Sequence, residues 1–368
     1  MIISCAKDDL HQAVQIVQKA IPSKAAVPIL AGIYLSARND TLELQSTDYE
    51  ISIRCRIPAV VQEPGAIVLS GRYLQDIVRR LPGDTVEIAT NHEEHTIKII
   101  SKQAQFNLLY MPPEEFPILK PLVSDNSMVL TDSVLSHLIK KTVFACSNDE
   151  GRPIFTGALL EADEQGIRMV ATNTHRLALQ TASQASATPL RLIIPAKILS
   201  ELGRLLSGDE PRPVHIYWQR SQIAFEFDNV YIISRLIEGQ FPDYQKVIPS
   251  SFATVVTVKT EEFMSAVNLI SLLAKDGDYN VLKFSFREED ILITSNNPEV
   301  GKARENVPAV IDGPLLDIAF NVTYINDIVK NIDTEEMILC MNTPLSPVCI
   351  RQQGDDSYTY IVTPVRTN

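Results

Sequence analysis

The chain has 368 residues, 45% of them hydrophobic, enough apolar material for two or three ordinary cores. Its five cysteines (Cys5, Cys55, Cys146, Cys340, Cys349) are scattered with no CxxC spacing, no basic-then-apolar leader opens the sequence, and no apolar run approaches a membrane span; disulfide scaffolds, metal clusters, secretion and membrane insertion are all disfavoured, and a reducing cytoplasmic setting without cofactor or metal is expected. A net charge of −12 is unlike that of an ordinary nucleic-acid binder, so any such reading has to say where positive charge is concentrated.

In chain order, the first element with helical period is an amphipathic stretch from Lys7 to Ala20, followed by a loop carrying Lys24. From Ile33, IYLSARNDTLELQSTDYEISI reads as an alternating strand, a polar turn, a second strand and a corner at Thr47-Asp48. The next helix is predicted over Ser70–Leu81, with Tyr73, Leu74, Ile77, Val78 and Leu81 on one face. Arg72 and Arg79 lie seven residues apart, about 10 Å along the opposite face, with Arg80 adjacent. An alternating stretch with Phe106 and Leu108 precedes Phe116-Pro117.

The same order then starts again. A helix is expected over Thr131–Cys146 with Lys140 and Lys141 on its exposed side, then a strand pair from Ala158 (ALLEADEQGIRMVATNTHRLAL) with its corner at Thr172-Asn173. A helix with Lys197 and Arg204 follows over Pro195–Leu206, then Phe241-Pro242. The third round has a helix from Lys259 to Ala274, a strand pair from Leu282 with its corner at Ser295-Asn296, and a helix from Asn321. The corners are 125 and then 123 residues apart. Three elements recurring in one order at one period make chance improbable. The expected fold is α+β: three tandem copies of one domain, each with two helices and about eight strands in antiparallel sheets, with boundaries at 1–123, 124–251 and 252–368, where proline and small polar residues cluster.

The repeat also gives charge a direction. The helices at Ser70, Thr131 and Pro195 carry +2, +1 and +1 within a chain of −12, leaving −16 elsewhere. A charged helix face is ordinarily just solvated, but equivalent helices of a repeat face alike, so their charges add on one surface. Such a surface attracts phosphates without reading bases.

Catalysis finds little support. Thr172, His175 and Arg176 with Asp243 can be arranged on paper as a hydrolytic constellation, but His175 is more simply a hydrogen-bonded or pocket histidine, and HxxxH, GxGxxG, GxxxxGK[ST] and GxSxG are all absent.

The segments GALLEADEQGIRMVATNTHRLAL, LIEGQFPDYQKVIP, ITSNNPE, FNVTYINDIVKNI and the terminal YIVTPVRTN resemble the β subunit of bacterial DNA polymerase III, the sliding clamp family. The resemblance covers the whole chain in order. It implies a non-enzymatic processivity factor: a head-to-tail homodimeric ring that encircles double-stranded DNA and tethers the replicative polymerase, the clamp loader and other partners. A protein-binding adaptor that never encircles DNA is the alternative. The resemblance puts the subunit ends at Phe106 and Leu108 and at Leu272 and Leu273, all of which also read as ordinary core positions. It implies a pocket for short linear peptides formed by Phe155, Thr172, His175, Arg176, Leu177, Pro242, Lys246, Val247, Ser346, Val362, Thr363, Pro364, Val365 and Arg366, an apolar floor with Arg and His at the rim. For DNA it points to Lys24 and to the loop of Asn148, Gly151 and Arg152, beside the helix cations Arg72, Arg79, Arg80, Lys140, Lys141, Lys197 and Arg204. The chain departs from the family at Asn173-Thr174, where Asp-Gly is common, and at Thr363 and Val365, where some members have methionine. Lys246 replaces a frequent Arg, and Pro153 and Ile154 stand where some members carry aromatics.

Overall fold

A computed structural model describes residues 1–186, 188–206, 211–274 and 280–366; Thr367 and Asn368 of the quoted tail lie outside them. Among the described residues there are six α-helices, and they fall in three pairs: α1 (Lys7–Val17) and α2 (Gly71–Arg80), α3 (Asp132–Thr142) and α4 (Ala196–Leu205), α5 (Thr260–Ile270) and α6 (Val322–Val329). The sequence dictates the packed face of each. In α1, Leu10, Ala13, Val14 and Val17 are buried, and in α5, Phe263, Ala266, Val267 and Ile270, both at the i, i+3, i+4, i+7 spacing of one stripe. Asp8 and Asp9, and Glu261 and Glu262, occupy the first turns, where the helix dipole favours them. The Asn321 side chain caps α6, accepting from the Thr323 and Tyr324 amides. One expected face is corrected in α2: Leu74 and Val78 are buried, but Tyr73 is 61% exposed, because it stands on the Arg72 side of the helix.

By contacts the chain divides into two compact units, residues 1–133 with 204–236, and residues 134–203 with 237–368. In the first, one eight-stranded antiparallel sheet runs Ser127–Thr131, Pro213–Trp218, Gln222–Phe227, Val230–Arg235, Ile51–Pro58, Thr41–Thr47, Gly32–Arg38, Gly65–Ser70. A five-stranded sheet runs Val60–Glu63, Ile2–Ala6, Thr85–Asn91, Thr96–Ser101, Ala104–Leu109. In the second unit a twelve-stranded sheet contains the same eight-strand order, one period later: Thr254–Lys259, Glu336–Met341, Val348–Gln352, Asp355–Val362, Arg176–Ala182, Gly166–Thr172, Gly157–Asp163, Leu190–Pro195. Beyond Thr254–Lys259 it continues through Gly301–Asp312, Asp290–Asn297, Val281–Phe286 and Asp317–Asn321.

The middle repeat therefore serves both units. Its strand Val230–Arg235 pairs with Ile51–Pro58 of the first repeat (Ile232 opposite Ile53), and its strand Arg176–Ala182 pairs with Asp355–Val362 of the third (Arg176 opposite Val362). Each repeat boundary is thus sealed by a continuous backbone ladder rather than by side chains alone. Among the described residues, strand Ala104–Leu109, which corresponds to Val230–Arg235 and Asp355–Val362, has only Thr96–Ser101 beside it.

Candidate functional site

The second unit contains an open cavity of about 270 Å³ where strands Gly166–Thr172 and Arg176–Ala182 turn into one another. The turn is held by its own polar side chains. Asn173 Oδ1 accepts from the amides of His175 and Arg176, at 3.1 and 3.0 Å, and Thr172 Oγ1 donates to the Arg176 carbonyl at 2.6 Å while accepting from the Thr174 amide. This is the local backbone capture that Asx and Thr side chains offer. The conformation requires Thr174 at φ +77°, a region a β-branched residue rarely enters.

Leu177 and Ile361, side by side on the paired strands, form the floor with Phe241 and Tyr244, all buried in one core cluster. Phe155 meets Phe241 edge to face, with centroids 6.4 Å apart. Gly239, at φ +138°, lets the Phe241-Pro242 segment lie down there: a Cβ would stand 3.0 Å from Ile154 Cδ1. Thr174, His175, Pro242 and Val247 are exposed around the mouth. Thr363 closes one side, with its amide and hydroxyl both donating to the His175 carbonyl, at 2.9 and 2.8 Å.

Of the expected set, Phe155, Thr172, His175, Arg176, Leu177, Pro242, Val247 and Thr363 line this cavity. The others do not. Lys246 is 81% exposed and paired with Asp243 at 3.0 Å, Ser346 belongs to the turn closed by Thr343 next to lining residue Pro347, and Val362 is buried inside the strand ladder. The Val365 amide is bonded to the Ala319 carbonyl at 2.7 Å, while Pro364 is half-buried and Arg366 exposed.

Arg176 is corrected in role. It is not at the rim but 7% exposed, its guanidinium bonded to Asp327 Oδ2 and the Phe144 carbonyl, both at 2.5 Å, and 4.6 Å above the Tyr324 ring. With its fork so occupied, it ties α6 to the 172–176 turn. His175 alone is the exposed ring at the mouth, stacked with Tyr324 at 6.4 Å.

Sequence reasoning passed over Phe241, Tyr244, Pro347 and Ile361 as lining, and assigned Thr174 only to the turn. The signal for Phe241 and Tyr244 was present in Gly-Gln-Phe-Pro-Asp-Tyr, whose aromatics flank Pro242. Pro347 had none, because it is brought in from a distant hairpin.

Nothing here resembles an activated nucleophile. The Thr172 hydroxyl is committed to a carbonyl, Asp243 to Lys246, and Arg176 to Asp327. Among the described residues no group of three or more His, Cys, Asp and Glu is placed to hold a metal, and no helix is long and apolar enough to cross a membrane.

The cationic residues are expected on helix faces, except Lys24 and Arg152, which are expected in loops. In the first unit Lys24, Arg72, Arg79, Arg80 and Arg204 are exposed, with Arg79 3.6 Å from Asp76. A polar furrow of about 750 Å³ brings Gln12 and Gln15 of α1, Gln75 of α2 and Arg204 at the end of α4 to one opening. In the second unit Lys140, Lys197 and Arg152 are exposed, Arg152 bonded to Asp149 at 3.0 Å. Lys141 also departs from its expected place. It was expected on the exposed side of its helix, but its side chain is fully buried, with Nζ 2.8 Å from Gln352 Oε1, 2.9 Å from Asp333 Oδ2 and bonded to the Asn331 carbonyl. One residue along a helix turns the side chain by about 100°, which separates solvated Lys140 from buried Lys141.

At the chain's two other expected contact regions, Phe106 is 37% and Leu109 78% exposed on the open edge strand, and Leu269 and Leu272 are 54% and 66% exposed at the end of α5. Leu108 and Leu273 are half-buried.

Comparison with known proteins gives matches over nearly the whole chain. Residues 1–120, 129–243 and 245–366 match the N-terminal, central and C-terminal domains of the DNA polymerase III beta subunit family. The Beta sliding clamp of Bacillus subtilis is 36% identical, with 100% of each chain covered, and that of Staphylococcus aureus is 34% identical over 95% of each. Among solved structures, the Bacillus subtilis DNA polymerase sliding clamp superposes with a TM-score of 0.94 at 35% identity. The Pseudomonas aeruginosa DnaN sliding clamp bound to griselimycin superposes with a TM-score of 0.93 at 27% identity, and each covers 100% of both chains.

Proposed function

The chain belongs to the DNA polymerase III beta subunit family, and on that premise we propose that it works as a sliding clamp: a non-catalytic processivity factor whose head-to-tail homodimer encircles duplex DNA and holds the replicative polymerase, the clamp loader and other DNA-processing proteins to it. Its place of action is the nucleoid, in the cytoplasm. The proposed domains are 1–123, 124–251 and 252–368.

The observation that carries this reading is the cavity built on Leu177, Phe241, Tyr244 and Ile361. An apolar, preformed floor with few polar groups suits the aliphatic or aromatic anchors of a short peptide. The strand pairs at 230–235/51–58 and 355–362/176–182 support ring closure, because the corresponding strand Ala104–Leu109 is left with an open edge that a second subunit can extend by the same pairing. Phe106, Leu108, Leu272 and Leu273 are the side chains proposed for that contact. Lys24, Arg72, Arg79, Arg80, Lys140, Arg152, Lys197 and Arg204 are proposed to face DNA; buried Lys141 does not join them.

The test has two arms. Loaded on a nicked circle, the protein is expected to stay bound and to be released when the circle is cut, since a ring slides off free ends; retention that survives linearisation overturns encirclement. A peptide with a Gln-Leu-x-Leu-Phe core is expected to bind at roughly micromolar strength and to lose at least about tenfold on Leu177→Asp. An unchanged affinity places the peptide elsewhere.

A further inference from the structure

The repeat that builds the cavity at Thr172 builds a second one, a period earlier, wholly within the first unit. Its corner repeats the amide bonds of the other, while the Thr47 hydroxyl, instead of donating to a carbonyl as Thr172 does, accepts from Ser52 at 2.7 Å. Asp48 Oδ1 accepts from the amides of Glu50 and Ile51, at 3.0 and 2.7 Å, the Thr47 hydroxyl accepts from the Tyr49 amide, and Tyr49 stands at φ +72° where Thr174 stands at +77°. Above this corner lies an open cleft of about 460 Å³. Pro117 and Leu122 line it at the positions of Pro242 and Val247, and Gln222 opens its hairpin strand where Pro347 precedes the third repeat's.

The two differ in chemistry. Leu177 has become Ser52 and Pro347 has become Gln222, so Thr47, Ser52 and Gln222, all neutral and polar, form one wall with Gln219 beside them, over buried Leu119 and Ile233, which stand where Tyr244 and Ile361 form the other floor. The mouth is apolar instead: Tyr49, Ile118 and Val123 are 56%, 51% and 85% exposed. Lys120 is the one charged side chain among the lining residues. The cleft therefore keeps an apolar floor but adds a polar wall that the other cavity lacks.

We propose that this cleft is a second peptide-docking site, with a different preference from the first: a short extended segment carrying a Gln, Asn, Ser or Thr anchor, an apolar neighbour and an acidic residue for Lys120. The Ser52 hydroxyl donates to Thr47 Oγ1 at 2.7 Å, so it is the Gln222 amide that rewards an anchor able to donate and accept, and that a purely apolar anchor would cover without replacing its water. The exposed aromatic and aliphatic mouth covers the neighbouring apolar residue. Only the peptide class of the occupant is taken from the reading of the 172–177 cavity, so one ring would present two kinds of site and hold two different partners at once.

The probe is a fluorescein-labelled decapeptide with central Gln flanked by Leu and Glu, titrated into the full-length protein with and without a saturating excess of unlabelled Gln-Leu-x-Leu-Phe peptide. One site per chain is expected, unaffected by the competitor and by Leu177→Asp, and weakened about tenfold by Ser52→Arg, which fills the cleft. Lys120→Glu, at an exposed position, is expected to weaken the same probe several-fold and guards against a folding defect in the first variant, as does unchanged Gln-Leu-x-Leu-Phe binding by both. Displacement by the competitor, indifference to both substitutions, or no binding up to ~1 mM overturns the proposal. Loss of Gln-Leu-x-Leu-Phe binding alone would strike the first site and leave this one standing.

Discussion

Thr174 holds a conformation that costs a residue with a Cβ about 1–2 kcal/mol, kept in place by the Thr172 and Asn173 side chains. Thr174→Gly is therefore expected to stabilise the chain by ~1 kcal/mol, part of the relief being offset by the greater freedom of glycine when unfolded; a thermal midpoint that falls would refute the strain. Lys141 makes the opposite case. Lys141→Met strands the Asn331 carbonyl and leaves Asp333 only its solvated partner Lys140, and should cost about 2 kcal/mol in a denaturant titration, while Lys140→Met, 56% exposed at its side chain, should change stability by less than about 0.5 kcal/mol. Burial by itself would push the Asp333 carboxyl up, but the hydrogen bond and charge of Lys141 outweigh it and hold the group below the usual carboxylate range. A carboxylate held low when folded contributes stability above its unfolded pKa of about 3.9 and loses it as pH falls through that value toward the folded one. The wild-type unfolding midpoint should thus drop more steeply below pH ~4 than that of Asp333→Asn; parallel curves would mean the pair contributes nothing.

Among the elements, the helices were legible and the sheets only partly so. Period fixes a helix from within one short window, which is why α1 to α6 fall inside the stretches their apolar spacing marks out. Asn321→Ala should cost ~1 kcal/mol by removing the cap of α6, read as a lowered unfolding midpoint. Strand pairing joins residues more than a hundred positions apart, as in Val230–Arg235 against Ile51–Pro58, and alternation says nothing about such partners. The open edge at Ala104–Leu109 is the element-scale consequence. Replacing Phe106 and Leu109 together by Asp is expected to leave the far-ultraviolet spectrum intact and yield a single-chain mass in sedimentation; a two-chain particle would show that the edge is not the contact.

At the scale of the whole molecule, the −12 net charge and DNA encirclement are compatible because a ring keeps its duplex by topology. Contact binding through six or more phosphates weakens about a thousandfold or more between 50 and 200 mM salt. Retention of the loaded clamp on a closed circle should change by less than about twofold over that range, and a steep loss would mean that the protein binds as an ordinary cation-rich surface instead. On the proposal that they face DNA, exposed Arg72, Arg79, Lys197 and Arg204 would serve loading and sliding, steps in which weak, sequence-blind attraction is enough.

The sequence by itself determined the threefold repeat, the α+β class and the corners at Thr47 and Thr172, because periodicity and Asx/Thr turn chemistry are local. The family resemblance, rather than periodicity, named Phe155, Thr172, His175, Arg176, Leu177, Pro242, Val247 and Thr363 of the cavity wall. Only the tertiary structure decided that Arg176 is locked to Asp327, that Lys141 is buried beside Asp333, that Ile361 and Pro347 join Leu177, and that the first repeat carries a polar counterpart of the same cleft. Each of those outcomes depends on which distant surface covers a given side chain, and neither spacing nor composition contains that information.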